Sequence, residues 1–266
     1  MKLWFFSCHL LAWLSILNGA PLQRPDLTES PQELHIDLSS PQKLLIQQSE
    51  LLKKLQHLNP LDDRQNVLRN IKDIGSALFF TPIGLGHTLR ETMVKKGDSL
   101  SVIAKRHHIS RERISLLNPE LKQPDRIFPN MKLRISDQPC KVIIYKKRFE
   151  MECYLGDVLF RVYPVGLGAE GRDTPVGKTT VSTSRAKNPN YTDRATNITY
   201  PYGDPMHTVG SRWIGLSMGN GYGIHGTNDP DSIGKSMSKG CIRMKRNDLE
   251  ELYDLVLPGN MVIIEP

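Results

Sequence analysis

Two residues in the C-terminal half could perform nucleophilic chemistry. Cys241 sits in Ser238-Lys239-Gly240-Cys241-Ile242-Arg243-Met244, and His225 sits sixteen residues earlier in Ile224-His225-Gly226-Thr227. A thiol attacks as its thiolate, and an imidazole, with a pKa near neutrality, is the usual base that generates it. Gly219, Gly221, Gly223 and Gly226 flank the histidine and predict a bent backbone that can aim the ring into a site. Spacing alone leaves the pair a candidate, since most Cys/His pairs so separated are incidental. His207 falls in a loop, and His107 and His108 fall on a short helix where solvent is the expected partner. No His/Cys spacing matches a zinc pattern, and neither a metal nor another cofactor is expected.

The elements that must position this pair begin near Cys140. Lys141–Tyr145, Arg148–Leu155 and Val158–Val165 are strand-like, with Gly156-Asp157 as a turn. Long stretches rich in Gly, Asn and Pro follow. One late helix starts at Asn247 and carries Leu249, Leu252, Tyr253 and Val256; Pro258-Gly259-Asn260 ends it, and Met261–Glu265 closes as a strand. The expected fold is mixed and mainly β: a sandwich with long loops over residues 140–266.

The stretch from Gly221 to Met244 closely resembles the signature of the L,D-transpeptidase catalytic domain of the YkuD type, a histidine followed by Ser/Thr-His-Gly-Cys. Phe160–Gly168 followed by Asp173-Thr174-Pro175-Val176-Gly177, then Lys187-Asn188-Pro189 and Arg212–Leu216, resemble further family segments in the right order. The resemblance implies that Cys241 attacks the carbonyl joining the third stem residue of peptidoglycan to D-alanine, with His225 managing the proton. Backbone N–H groups near Gly240 would hold the oxyanion. Ser238 matches the motif serine, either as an orienting contact or as a plain loop residue. Arg243 could bind a substrate carboxylate or stabilise the loop. Gly226 and Thr227 support the histidine, and Tyr222, Asn228 and Trp213 are candidates for the groove. Lys239 stands where the family has histidine. Its ammonium could lower the thiol pKa or donate hydrogen bonds, but it is a poor proton shuttle near neutral pH.

Residues 91–136 read as β-α-α-β and resemble a LysM domain, on Val94, Gly97-Asp98-Ser99-Leu100, Ile103-Ala104, Leu117-Asn118-Pro119 and Leu133-Arg134-Ile135. Pro129-Asn130 departs from the usual glycine before the last strand. The resemblance implies binding of N-acetylglucosamine-containing glycans in a groove between Gly97, Asp98 and Ser99 on one side and the loop after Asn118-Pro119 on the other.

Upstream, Leu44, Leu45, Leu51, Leu52, Leu55 and Leu58, then Val67, Leu68, Ile71, Ile74 and Leu78, recur at helical spacing. Pro41 and Asp62 suit the two helix starts. Residues 21–88 are expected to be a linker with a helical segment: a cap on the following domain, a spacer, or a surface at residues 41–80 for a protein partner. Residues 1–20, with Lys2 and an apolar run over 3–17, have the plan of a signal peptide or a membrane anchor. Export to the periplasm or cell envelope follows from that plan.

A net charge of +7, with 39% apolar and 24% charged residues, indicates a globular chain suited to anionic partners. Basic residues interleaved with aromatics are lacking, so nucleic acid is not expected as a partner. Cys140 and Cys153 could pair with each other or lie as buried small apolar residues. The reading as a whole is an exported L,D-transpeptidase that forms a thioester, releases D-alanine and joins stems 3→3 or attaches a protein amine. Its rivals are an L,D-carboxypeptidase with water as acceptor and a weakly active or inactive peptidoglycan-binding scaffold.

Overall fold

Alternating apolar residues along strands such as Cys140–Tyr145 give the main sheet a buried face. The computed structural model describes residues 36–266 apart from 59–63, 122, 124–125, 194–195 and 220. The main sheet contains β3 (Cys140–Tyr145), β4 (Glu150–Leu155), β5 (Val158–Gly168), β6 (Gly177–Lys187), β9 (Arg212–Leu216), β10 (Gly223–His225), β12 (Ile242–Met244) and β13 (Met261–Glu265). Neighbours run in the order β5-β12-β10-β9-β6-β13-β3-β4, and β4 pairs back onto β5. The sheet is therefore a closed, barrel-like ring, where the sequence suggested a sandwich. The correction has a simple cause: β5 is eleven residues long and has a bulge against β4, so it serves two neighbours along its length. The short strand β11 (Ser236–Ser238) adds to β5 in parallel, and β7 (Tyr191–Thr192) and β8 (Thr199–Tyr200) form a separate small hairpin.

Helices α1 (Pro41–His57) and α2 (Arg64–Phe80) pack on the barrel rather than on the domain that follows them, which corrects the expected cap. Ser40 caps α1 through its hydroxyl, with Pro41 in the first turn. The stripe Val67, Ile71, Ile74 and Leu78 is buried, and Phe79 and Phe80 meet Phe160 of β5 edge-on, with ring centroids at 5.1 and 5.8 Å. Gly75 allows this close approach: a Cβ there would lie 2.4 Å from the Phe160 carbonyl oxygen. Arg64 donates to the Leu55 carbonyl near the end of α1 and pairs with buried Glu150 of β4 at 2.5 Å. The apolar faces of both helices are thus spent inside the molecule. Asp62 lies outside the described residues, and α2 begins at Arg64.

A second, smaller core holds the module made of β1 (Arg90–Met93), α3 (Leu100–Arg106), α4 (Arg111–Leu117) and β2 (Lys132–Ile135). Strands β1 and β2 pair antiparallel, with Ile103, Ile114 and Leu133 fully buried between the layers. Asn130 takes the left-handed conformation, φ +71°, that glycine would otherwise supply before β2, and asparagine tolerates it. This module is joined firmly to helix α5 (Arg246–Leu255). Ser110 donates to the Asp254 carbonyl at 2.8 Å, and the buried Arg113 donates to the carbonyls of Leu255 and Gln138. Arg185 of β6 donates to the Tyr253 carbonyl. A hydroxyl and two guanidiniums therefore satisfy the carbonyl end of α5, where its dipole is negative.

Among the described residues, no helix is long and apolar enough to cross a membrane, and no cluster of His, Cys, Asp and Glu could hold a metal ion. The apolar segment at residues 3–17 lies outside the described residues.

Candidate active site

Strands β10 and β12 run side by side and parallel, with Ile224 opposite Ile242 and His225 opposite Arg243. One residue before β12, Cys241 falls beside Gly223. Side chains alternate faces, so His225 and Arg243 share one face, and the same alternation continued one residue beyond β12 puts Cys241 on it. The two chemistry-bearing residues are brought together by register. On the neighbouring strand, Trp213 is the partner of His225, and its ring stacks on the imidazole at 5.8 Å and 19°. Gly223 is small because a Cβ there would lie 2.6 Å from the Trp213 ring.

His225 is buried, and its Nδ1 lies 2.6 Å from the Gly226 carbonyl oxygen. A carbonyl only accepts, so Nδ1 carries the hydrogen and Nε2 keeps its lone pair. Burial pushes the imidazole pKa down from 6.5 to about 4, against the Gly226 hydrogen bond, and the charge of Arg243 lowers it further. The ring is therefore neutral at physiological pH. Gly226 is held in turn: its N–H donates to the Val209 carbonyl at 2.7 Å, and it passes so close to Gly210 that a Cβ would lie 3.1 Å from the Gly210 Cα.

The turn before Cys241 is tied down by hydroxyls. Ser238 Oγ donates to the Cys241 carbonyl at 2.6 Å and accepts from the Gly240 N–H at 3.0 Å. Thr174 Oγ1 donates to the Gly240 carbonyl at 3.0 Å and accepts from the Gly168 N–H at 2.9 Å. Gly240 has φ +105°, and a Cβ there would lie 2.6 Å from the Tyr222 ring. The turn can therefore hold only glycine at this point. Cys241 is partly exposed, with Sγ 3.9 Å from the Gly221 carbonyl oxygen.

The remaining expected residues divide. Lys239 is 63% exposed in its side chain, and its ammonium pairs with Asp193 at 3.4 Å. Asp193 also accepts from the Tyr191 hydroxyl at 3.0 Å and the Thr196 N–H at 3.1 Å. Lys239 thus links the nucleophile turn to the β7–β8 hairpin through this ion pair. Arg243 is half-buried, and its Nε has no hydrogen-bond partner. Thr227 makes a local turn with Asp229, and Asn228 donates to the Pro205 carbonyl at 3.3 Å; both hold loops.

In the smaller module the expected glycan residues are mostly engaged in building the fold. Asn118 is fully buried, donating to the Ile114 and Arg134 carbonyls and accepting from the Arg134 N–H, all within 2.8 Å. Asp98 pairs with Arg106 at 2.6 Å, which holds its carboxyl below the usual range, and Ser99 caps α3. Gly97, with φ +83° and room for a Cβ that would meet nothing within 4 Å, and exposed Pro119 keep open surroundings. A groove here would be formed by backbone and loop surface, with the Asn118 side chain excluded.

Two contributors were not singled out from sequence. Thr174 could have been suspected from its place before Pro175-Val176-Gly177. His207 had no such signal: it lies buried and ties the long loop together, its Nε2 donating to the Pro189 carbonyl at 2.8 Å while Nδ1 accepts from the Gly210 N–H.

A neutral imidazole beside a thiol on a rigid glycine turn is an arrangement suited to thiol-based acyl transfer. Comparison with known proteins agrees in class. The L,D-transpeptidase catalytic domain matches residues 141–264, and the LysM domain matches residues 92–136. A Bacillus licheniformis protein named L,D-transpeptidase YkuD is 33% identical over 65% of this chain and 97% of its own length. A Bacillus subtilis protein named L,D-transpeptidase YqjB is 39% identical over 46% of this chain and 69% of its own. Among solved structures, L,D-transpeptidase 3 from Mycobacterium tuberculosis has a TM-score of 0.42 and 20% identity, over 51% of this chain and 64% of its own. The chain belongs to the YkuD-type L,D-transpeptidase family, with a LysM domain ahead of the catalytic domain.

Proposed function

We propose that the protein is a cell-envelope peptidoglycan L,D-transpeptidase with Cys241 as nucleophile and His225 as base. The observation that carries this reading is the neutral, Nδ1-anchored His225 sharing a strand face with Cys241. His225 Nε2 takes the thiol proton, and the thiolate adds to the carbonyl that joins the third stem residue to D-alanine. The Gly240 N–H is held by Ser238 Oγ, so the Cys241 N–H is the donor of this turn that would face the developing oxyanion. Collapse expels D-alanine, whose amine takes the proton back from His225, and leaves a thioester. An acceptor amine then loses its proton to His225 and displaces the thiolate. That amine comes from a neighbouring stem, giving a 3→3 crosslink, or from a protein. The half-buried Arg243, on the same face, is a cation suited to pairing with a stem carboxylate. The LysM domain would retain the glycan to which the stem is attached. Export from the cytoplasm, with residues 1–20 as its signal, belongs to the same reading.

The test is intact-mass measurement of the protein incubated with a tetrapeptide-stem muropeptide. An acyl adduct that disappears in Cys241→Ala is expected, together with dimeric products. Tripeptide products without dimers would indicate hydrolysis by water. Retained glycan binding with no adduct would overturn the enzymatic reading in favour of a scaffold.

A further inference from the structure

Among the described residues the mechanism uses one thiol and leaves two unexplained. Cys140 of β3 and Cys153 of β4 are buried, with 1% and 0% of their surface exposed, and their sulfurs lie 3.5 Å apart. The register explains the contact: Val142 faces Cys153 and Cys140 faces Leu155, so the two cysteines share one face of the ladder on a diagonal. The separation exceeds a disulfide bond of about 2.05 Å by about 1.5 Å, a distance that side-chain rotation and a small strand shift can close. The surroundings are apolar except for the buried Arg113 guanidinium, which acts on both sulfurs, and the Glu251 carboxylate and Tyr163 hydroxyl, which act on Cys153. Once the barrel is folded, burial and the contact with Cys140 hold the Cys153 thiol well above its ordinary range, so the finished core resists exchange. Closure therefore belongs to the stage when the β3–β4 hairpin has formed and is still open to solvent.

We propose that Cys140 and Cys153 form a redox modification site that closes to an intramolecular disulfide as the exported chain folds. One thiolate attacks a protein or small-molecule disulfide, RSSR, and releases RS⁻. The second thiolate then attacks the mixed disulfide and releases a second RS⁻. The two cysteines lose two electrons and two protons in all, and RSSR becomes two RSH. Closure removes two thiols that could otherwise pair wrongly with Cys241. That consequence rests on the proposed role of Cys241, whereas the bond itself does not.

The test is to refold the full chain with and without a glutathione disulfide buffer, trap free thiols and map peptides under non-reducing conditions. The oxidised protein should be about 2 Da lighter, yield a Cys140–Cys153 linked peptide and leave Cys241 alkylatable. Its Tm should lie about 5–10 °C above that of the reduced protein, for a bridge closing a short loop. The double variant Cys140→Ala/Cys153→Ala should lose this redox dependence. Cys140 and Cys153 recovered as free thiols from oxidised, folded protein would overturn the proposal, as would a bridge from either to Cys241. Peptide mapping decides even if the double variant does not fold, and muropeptide acylation, measured separately, reports on the catalytic reading alone.

Discussion

The nucleophile turn and the LysM loops were both legible as short motifs of small and polar residues, yet the fold uses their side chains in opposite ways. At Ser238–Cys241 the hydroxyls of Ser238 and Thr174 are spent on the backbone, and the reactive thiol is left partly open. In the LysM module the motif's own polar residues, Asp98, Ser99 and Asn118, are the ones spent on the backbone and on Arg106. A motif residue can thus signal chemistry in one domain and architecture in another. The hydrogen-bond partners decide which.

Substitutions can break this contrast. The largest effect is expected at His225: His225→Gln should lower acylation of Cys241 by roughly 10²–10⁴-fold with the fold retained, as loss of a general base does. Rates from single-turnover mass spectrometry would check it, and a change under tenfold would remove His225 from the role of base. Next is Asn118→Ala, which strips partners from the Ile114 and Arg134 backbone groups. It should destabilise the LysM module by about 2–4 kcal/mol in denaturant unfolding and leave the acylation rate of a stem peptide alone. An unaltered stability together with lost glycan binding would return Asn118 to a direct contact.

Thr174→Val should lower acylation by about tenfold, because the Gly240 carbonyl and the Gly168 N–H lose their shared hydroxyl. Serine at the same position should restore most of the rate. The smallest effect is expected at Lys239, whose exposed ion pair with Asp193 belongs to a class worth at most about 1 kcal/mol. Lys239→Met and Asp193→Asn should each change kcat/KM by no more than about fivefold, and the double variant should be no worse than either alone. Lys239→His should leave the pH profile of acylation in place. A displaced profile would show that position 239 acts on the sulfur after all.

The parts of the fold that follow local periodicity were open to reading from sequence. The strands from Cys140 onward, the two leucine-rich helices, the βααβ module and the late helix all appear within a few residues of where their patterns place them. Ring closure was not legible, because the pairing of β4 with β5 and the long reach of β5 depend on contacts that no strand's own pattern encodes. The docking of α1 and α2 on β5 was hidden for the same reason: an amphipathic stripe shows that a face is buried, and not against what. At the site, Cys241 and His225 were visible as chemistry. The sharing of a face depends on the parallel register of β10 and β12, and the work of Thr174 and His207 depends on loops that fold back across dozens of residues. Lys239 read as a mismatch beside the nucleophile, and the structure turns it toward Asp193.

Burial of His225 also gives the molecule a pH signature. Its folded pKa lies below the unfolded value, so the unfolded chain binds the proton first on acidification. Stability that is full above pH 6.5 should fall between pH 6.5 and about 4, by about 3 kcal/mol if the whole shift is realised. His225→Gln should flatten that window in urea titrations.

The central claim is that Cys241 is acylated with a buried, neutral His225 as its base. The most direct measurement is the first-turnover rate of Cys241 acylation by a tetrapeptide-stem substrate from pH 4 to 8, in the wild-type chain and in His225→Gln. The expected rate holds down to about pH 5, with an acid limb governed by a group titrating near pH 4 and a large rate loss in the variant. An acid limb near pH 6.5, or equal rates in the two proteins, would contradict it.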